Sequence, residues 1–471
     1  MLSKKIKDFL KYLSDIFTIA VLYIGFIAFF LVCYTNYTWG NVYVEQMIIA
    51  ALNDFDTIGS YIITKYVLFA FVPACLMTLI CRWFIKKNLW LNIMAICMIG
   101  YAVWSIKLVE YLLNQNVYTE LYETEYANPA DLTFKFPDKK RNLILFYLES
   151  MEADYADSNL TGENLLPNLS KYQKNELHFP NFFQMPMQDY TIAAMVSSMC
   201  GVPYRTPKGI NPYKIKNFLP HLKCFPQILE QNGYENYTLR SSDLDFAGAR
   251  KFFKLHGFKH MKDKADMEKD IDLANHGGTS WGYNDRTYYE AVKKELTEIA
   301  EKKTPFMFVM ITLDTHAPDV YLDKQCEKTF DDKRDVIKCA DSMASEFLSW
   351  LQKQDFYENT TVVVVGDHPE TGNNNTYPAH KNRKIVNFIL NPAKNSIPQE
   401  HEIWSTIDLA PTILNAMGVE FGGAKFGLGR SLLKTEPTLY EIYQNRLSNE
   451  VLKSSHLYDR FYHKKAPNGN K

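Results

Sequence analysis

Hydrophobic positions are spread unevenly along this chain. In the first quarter they form three long, nearly unbroken runs, at about Leu13–Tyr34, Tyr61–Ile80 and Leu89–Ile106. Each approaches the roughly 20 apolar residues that a helix needs to cross a bilayer, so the pattern predicts three transmembrane helices. Beyond residue 140 the apolar runs are short: Asn142–Leu148, Phe306–Ile311, Thr361–Val365 and Ile385–Leu390. Runs of this length, bounded by charged or turn residues, read as strands buried on both faces. Between them apolar positions recur at helical spacing, as in Tyr288–Glu301 and Cys339–Lys353. Strands alternating with helices predict an α/β domain, doubly wound around a mainly parallel sheet.

This patterning divides the chain into four parts: a membrane domain (1–113), a polar linker (114–140) broken by Pro129 and Pro137, an α/β domain (141–448), and a basic, polar tail (449–471) expected to be loosely held. Lys4, Lys5, Lys7 and Lys11 precede the first run, and Arg82, Lys86 and Lys87 separate the second from the third. The positive-inside rule keeps both clusters in the cytoplasm and places everything after about Asn114 outside. A cleaved signal peptide is the competing reading of the first run; the lack of a small-residue cleavage site and the two further runs speak against it. Lys65 and Lys107 are expected to snorkel to the interface. Val42–Asn53 reads as a short helix in the outer interface or as a plain loop.

Charge adds an exclusion. With 52 basic and 53 acidic residues the formal net charge is −1, which leaves no basic footprint for nucleic acid. Of eight cysteines, Cys33, Cys75, Cys81 and Cys97 fall in or beside the apolar runs. Cys200, Cys224, Cys326 and Cys339 lie in the outer domain, where an even number suggests two disulfides. Proximity favours Cys200–Cys224 and Cys326–Cys339, with two other connectivities and free thiols open.

In parallel sheets, ligands bind beyond the carboxyl ends of the strands. Glu149 follows the first short run; Asp314, Thr315 and His316 follow the Phe306 run; Gly366, Asp367 and His368 follow the Thr361 run. Carboxylates and imidazoles suit a divalent metal, although any one of them alone is as readily a helix cap or ion-pair partner. Thr191 begins a helical pattern carried by Ile192, Met195, Val196 and Met199 and stopped by Gly201 and Pro203. A helix N-terminus favours a bound phosphate and an ionised alkoxide. Capping the helix is the plainer role open to this threonine.

The segments Leu143–Ser150, Tyr190–Pro203, Leu313–Pro318 and Val365–His368 resemble those of the membrane-bound phosphoglycerol transferases, a group that includes lipoteichoic acid synthase, within the alkaline phosphatase and sulfatase superfamily. The similarity runs in order from about Asn142 to Gly429. It implies that Glu149, Thr191, Asp367 and His368 hold one divalent ion, manganese in the best-known relatives, with zinc or magnesium as alternatives. It also implies that Thr191 takes phosphoglycerol as a covalent ester and that His316 binds phosphoryl oxygens or serves as acid and base. Trp281, in Trp281–Asp285, matches the family's Trp-Gly segment and would pack against the glycerol. Arg240 and His380 are further substrate-binding candidates, with ordinary ion-pair and loop roles as the alternatives. His276 is similar to His380, and Arg286 lies near Trp281 without a catalytic assignment.

The implied function is transfer of phosphoglycerol from phosphatidylglycerol, or another phospholipid donor, to a cell-envelope glycan. The expected location is the bacterial inner membrane, with several spans and the catalytic domain on the periplasmic side. A phosphoethanolamine transferase acting on lipid A or a glycan shares this design. A sulfatase would need a modified cysteine or serine in a Cys/Ser-x-Pro-x-Arg context; none surrounds Thr191, and Cys200–Arg205 is one register away. A catalytically inactive membrane protein that binds lipid or a partner is the alternative from another class.

Overall fold

The computed structural model describes residues 4–40, 42–53, 60–205, 218–270, 277–371, 376–377, 383–394 and 396–462. The chain separates into two compact units, Met1–Asn114 and Gln115–Lys471.

The first unit contains α1 (Lys4–Trp39), α2 (Val44–Asn53), α3 (Ser60–Tyr66), α4 (Val72–Phe84), α5 (Asn88–Ser105) and α6 (Leu108–Asn114). Three helical stretches are long and apolar enough to cross a membrane: Lys4–Trp39, Ile62–Phe84 and Asn88–Ser105. The middle one is a composite, with a π-turn at Val67–Phe71 joining α3 to α4. Pro73, at the start of α4, has no N–H to continue the regular ladder and so accounts for the irregularity. Leu22 and Phe26 of α1 pack against Ala74, Leu91 and Ala95. Gly25 lets α1 and α5 approach closely, since a Cβ there would lie 3.0 Å from the Ala95 Cα.

The second unit is built on a six-stranded sheet: β1 (Asn142–Leu148), β2 (Glu235–Leu239), β3 (His260–Lys262), β4 (Phe306–Ile311), β5 (Thr360–Gly366) and β6 (Asn387–Leu390). Their spatial order is β3-β2-β4-β1-β5-β6. All neighbours are parallel except β6, which runs antiparallel to β5. Helices α7 (Leu121–Glu125), α8 (Thr191–Cys200), α9 (Phe225–Gln231), α10 (Asp285–Glu301), α11 (Lys333–Leu351) and α12 (His456–Arg460) accompany it. All seven β1 residues are buried, as expected of a central strand covered on both faces. Ile144, Phe146 and Leu148 share a core with Val292 and Leu296 of α10 and Met343 and Phe347 of α11. The alternate residues point to the opposite face, where the Tyr147 hydroxyl meets Ser198 of α8 at 2.5 Å.

The mainly parallel α/β fold expected from the short apolar runs is the one observed. The last of those runs is shorter than expected: Ile385 makes only an isolated bridge to Glu152. Strands β2 and β3 have no counterpart in the apolar pattern. Glu235, Asn236 and Thr238 make β2 look polar, yet Asn236 is buried because its amide donates to the carbonyls of Pro226 and Gly257, both at 2.8 Å.

Most of the expected linker of 114–140, from residue 115 on, instead packs as part of the second unit. Leu121 and Tyr122 are buried, and Tyr118, Ala127 and Lys135 bridge Ser454, Gly427 and Glu420. The polar residues of the segment satisfy its edges while these few apolar side chains anchor it. Residues 449–462 are likewise packed rather than loose. Tyr458 is buried against the Tyr122 ring at 5.4 Å, and its hydroxyl accepts the Arg205 N–H at 2.7 Å. Both disulfides favoured by proximity are formed, Cys200–Cys224 and Cys326–Cys339.

Gly201 ends α8 in the left-handed region at φ 68, and an added Cβ would lie 2.4 Å from the Phe426 carbonyl oxygen. Gly201→Ala is therefore expected to lower the unfolding free energy by about 2–4 kcal/mol, from backbone strain plus overlap with main chain. Guanidinium unfolding followed by near-UV circular dichroism measures this; an unchanged midpoint would show that the turn relaxes freely.

Candidate metal centre and nucleophile

The parallel register of β1 and β5 sets Leu148 opposite Gly366, so the next residues, Glu149 and Asp367, leave the sheet side by side. Gly366 permits the approach, because a Cβ there would lie 2.1 Å from the Met151 carbonyl oxygen. Oxygens of Glu149 and Asp367 and a nitrogen of His368 all fall within 4.8 Å of one another, with all three residues buried. His368 Nε2 is 3.3 Å from Asp367 Oδ2 and 3.6 Å from Glu149 Oε1. Its Nδ1 lies 2.8 Å from the Pro369 carbonyl, which can only accept, so Nδ1 carries a proton and Nε2 is the nitrogen that faces the carboxylates.

Neighbouring groups fix these side chains. Ser150, at φ 51, turns the chain so that its N–H donates to Asp367 Oδ1 and its hydroxyl to Glu149 Oε1, both at 2.8 Å. Thr312 Oγ1 accepts the Glu149 N–H at 2.9 Å, and Thr315 Oγ1 donates to the Glu149 carbonyl at 2.6 Å. Asp367 Oδ2 is buried without a hydrogen bond. An acceptor left bare among two carboxylates and an imidazole fits a divalent cation, which would supply the missing positive charge.

The ionisation of the cluster agrees. Burial and the Glu149 charge push Asp367 up to about 7. Burial works against charged Glu149 and charged His368 alike, but opposite charges prevail: His316 and then His368 act on Glu149, and Asp367 and then Glu149 act on His368. Glu149 lies below its ordinary range, and His368, facing Asp367 and Glu149, lies above its own. Burial lowers His316, with Glu149 opposing.

Thr191 is the first residue of α8, and the N-cap is Tyr190, which gives no side-chain cap. Thr191 therefore does not cap the helix by its hydroxyl: Oγ1 donates instead to Glu149 Oε2 at 3.3 Å. The positive end of α8 is thereby directed at the carboxylate cluster. Gln184, which the sequence did not single out, couples the two loops. Its amide donates to the carbonyls of Asp367 at 2.8 Å and Gln188 at 2.9 Å, and Thr406 holds its oxygen at 2.7 Å.

Arg240 directly follows β2 and is 7% exposed. Its Nε is buried without a hydrogen bond, and the guanidinium feels the charges of Glu149 and Asp367. The Trp281 ring lies 4.9 Å from His316 and 5.2 Å from Phe246, a half-buried ring absent from the sequence-level candidates. Asp314 turns away from the cluster toward Asp285, whose carboxylate accepts the Leu313 and Asp314 N–H groups at 2.6 and 3.2 Å. Burial and the Asp285 charge push Asp314 up to about 10. Arg286 is held by Asp323 at 2.8 Å. His380 and His276 lie outside the described residues.

A raised Asp367 favours the folded metal-free protein most below the ordinary carboxylate value near ~3.9, and this contribution is lost as pH rises through about 7. Raised His368 acts in the same direction; lowered His316 acts oppositely around neutral pH, and lowered Glu149 oppositely at acid pH only. Chelator-treated protein should thus melt at a lower temperature near ~pH 8 than near ~pH 5, and a saturating divalent ion should narrow the difference, leaving the share of Asp314, which lies outside the cluster. A melting temperature indifferent to both would count against a cation site. Asp367→Asn should weaken divalent-ion binding by about 100-fold or more in calorimetric titration.

Residues 141–419 match the sulfatase family. Phosphoglycerol transferase I of Escherichia coli strain 55989 is 31% identical over 320 residues, which are 66% of this chain and 41% of that protein. The chain thus spans about two fifths of that relative's length. A solved structure from the alkaline phosphatase superfamily of Vibrio parahaemolyticus overlays with a TM-score of 0.54 at 18% identity, covering 69% of this chain and 78% of the other. A lipoteichoic acid synthase from Listeria monocytogenes overlays at 0.51 with 21% identity, covering 64% and 79%. The family match, over more than half of its length, places this chain in the sulfatase family.

Proposed function

We infer that this chain is a metal-dependent transferase that moves phosphoglycerol from phosphatidylglycerol to a cell-envelope glycan, with Thr191 as nucleophile. The observation that carries the reading is the Thr191 hydroxyl, on the first residue of α8 and 3.3 Å from Glu149 within the carboxylate–imidazole cluster. Kinship with a phosphoglycerol transferase supports the choice of headgroup. Within a family named for sulfatases, a threonine at this place favours phosphoryl transfer over sulfate-ester hydrolysis.

Glu149, Asp367, His368 and Thr191 would hold one divalent ion, manganese by preference and zinc or magnesium otherwise. Bound there, it lowers the pKa of the threonine hydroxyl and offsets charge on the phosphoryl group. Thr191 Oγ1 attacks phosphorus, the bond from phosphorus to the diacylglycerol oxygen breaks, and diacylglycerol leaves as the alcohol after taking a proton. A glycan hydroxyl then attacks the phospho-threonine, loses its proton, and releases Thr191. His316, held toward its neutral form, is suited to exchange those protons. Arg240 meets the phosphoryl oxygens, and Trp281 forms a wall for the glycerol. The α1, α3–α4 and α5 stretches would cross a bacterial inner membrane and keep the catalytic unit on the periplasmic side, beside a lipid donor.

Intact-protein mass spectrometry after incubation with phosphatidylglycerol and manganese should show one phosphoglycerol adduct on Thr191, absent in Thr191→Ala. An ethanolamine phosphate adduct from mixed lipids would replace the headgroup assignment. No adduct with any lipid and metal would remove the enzyme reading. Arg240→Ala should lower kcat/KM by on the order of 10²–10³, measured at a temperature where the variant is shown to be folded; full activity would exclude it from the site.

A further inference from the structure

The geometry points to α6 (Leu108–Asn114) as an interfacial helix whose partner is the outer leaflet of a phospholipid bilayer. This rests on reading the three long apolar stretches as membrane spans. The 18 residues of α5 cover ~27 Å at 1.5 Å per residue, close to the ~30 Å hydrocarbon core, so α5 alone exhausts the membrane's apolar depth. Near its outer end Trp104 is 74% exposed, where an aromatic belt would sit. The chain then breaks. Lys107 adopts φ 53, which no α-helix propagates, and its ammonium lies 4.6 Å from the Tyr43 ring centroid and 4.0 Å from Glu110.

Past this break the chain turns apolar again. Val109 and Leu113 of α6 are 57% and 63% exposed and Leu112 is 52% exposed; positions i, i+3 and i+4 share one helix face. Across the whole second unit, Ile397 is the one large hydrophobic residue this exposed among those described; Val117, Tyr118 and Ile442 are exposed to a smaller degree. Three such side chains on one seven-residue helix are thus out of keeping with a water-facing surface. Such a helix is also too short to hold its shape alone in water. On one side it is braced by α2, where the Val44 N–H donates to the Ile106 carbonyl at 3.0 Å. Continuity identifies the occupant of the other side: the apolar face begins directly after α5, whose Leu89 and Ile96 are 67% and 65% exposed along the span. Too short to span and turned at Lys107, α6 can bury its face only at the headgroup–acyl boundary. The polypeptide then leaves the membrane unit at the depth of lipid phosphates, the level of the bond that a lipid-headgroup transferase must reach.

The test uses the full chain in vesicles containing phosphatidylglycerol, with Cys33, Cys75, Cys81 and Cys97, the four unpaired cysteines, each replaced by Ala. Val109→Cys, Leu113→Cys, Glu110→Cys and Ile96→Cys each carry a bimane label. Labels at 109 and 113 should be quenched by nitroxide lipids substituted near the headgroup more than by those substituted near the acyl terminus, and should lose iodide quenching. The label at 110 should keep iodide quenching, and that at 96 should respond most to the deep nitroxide. Iodide quenching at 109 and 113 equal to that at 110 would overturn the assignment, as would deep quenching equal to that at 96. If position 96 responds to no lipid probe, the membrane reading itself fails. Benzoylphenylalanine at 109, 110 or 113 in the otherwise unchanged chain gives an independent readout should the cysteine-free protein not fold. Light should yield phospholipid adducts at 109 and 113 but not at 110, and adducts at 110 alone would reverse the face.

Discussion

Two carboxylates forced together at adjacent strand ends set the terms for the rest of the second unit. The pairing of Leu148 with Gly366 leaves Glu149 and Asp367 no choice but proximity, and burial deprives them of water. Like charges so placed demand positive counterparts. The protein supplies an imidazole through His368, a guanidinium through Arg240 and the amino end of α8. The bare Asp367 Oδ2 marks where fixed cationic groups stop and a mobile cation is called for.

Such a cluster is only as exact as the loops that carry it, and those loops are cross-braced. Gln184 ties the segment before α8 to the backbone of Asp367. Three residues beyond Glu149, the buried Glu152 takes Arg383 at 2.8 Å, the Tyr377 hydroxyl, and the Glu370 N–H at 2.8 Å. Two residues beyond His368, Glu370 takes Lys333 at 2.6 Å. These paired charges join the loops after β1 and β5 to α11 and to the approach to β6. Removing one member would strand the other in a dry interior, so the bracing resists change.

Glu149, Asp367 and His368 were legible because each follows an unbroken apolar run, and a strand buried on both faces cannot disguise itself. Arg240 obeys the same positional rule, but β2 mixes Glu235, Asn236 and Thr238 with its apolar residues and does not announce a strand end. Only the carbonyls that receive the Asn236 amide explain how that segment is buried, and they belong to neighbouring segments, 10 and 21 residues away, that the strand's own pattern does not report. Residues 115–140 and 449–462 misled for a related reason. Their composition is that of surface, while a few side chains such as Tyr122 and Tyr458 anchor them through contacts that local pattern cannot report. For Thr191 the residue pattern alone allowed a cap as readily as a nucleophile, which came from the resemblance; geometry adds a hydroxyl turned toward Glu149.

The pairing of residues 117–122 with 451–458 has a consequence for biogenesis. The Tyr122 hydroxyl reaches the Val451 carbonyl across 329 residues of sequence, and the backbone of Thr119 joins that of Ser454. If the helices before residue 115 are spans, the first half of this seam reaches the far side of the membrane early in translation. It must then wait, uncovered, until nearly the whole unit has been translocated. The central sheet can assemble meanwhile, but the seam closes last, making its closure a signal that export of the unit is complete.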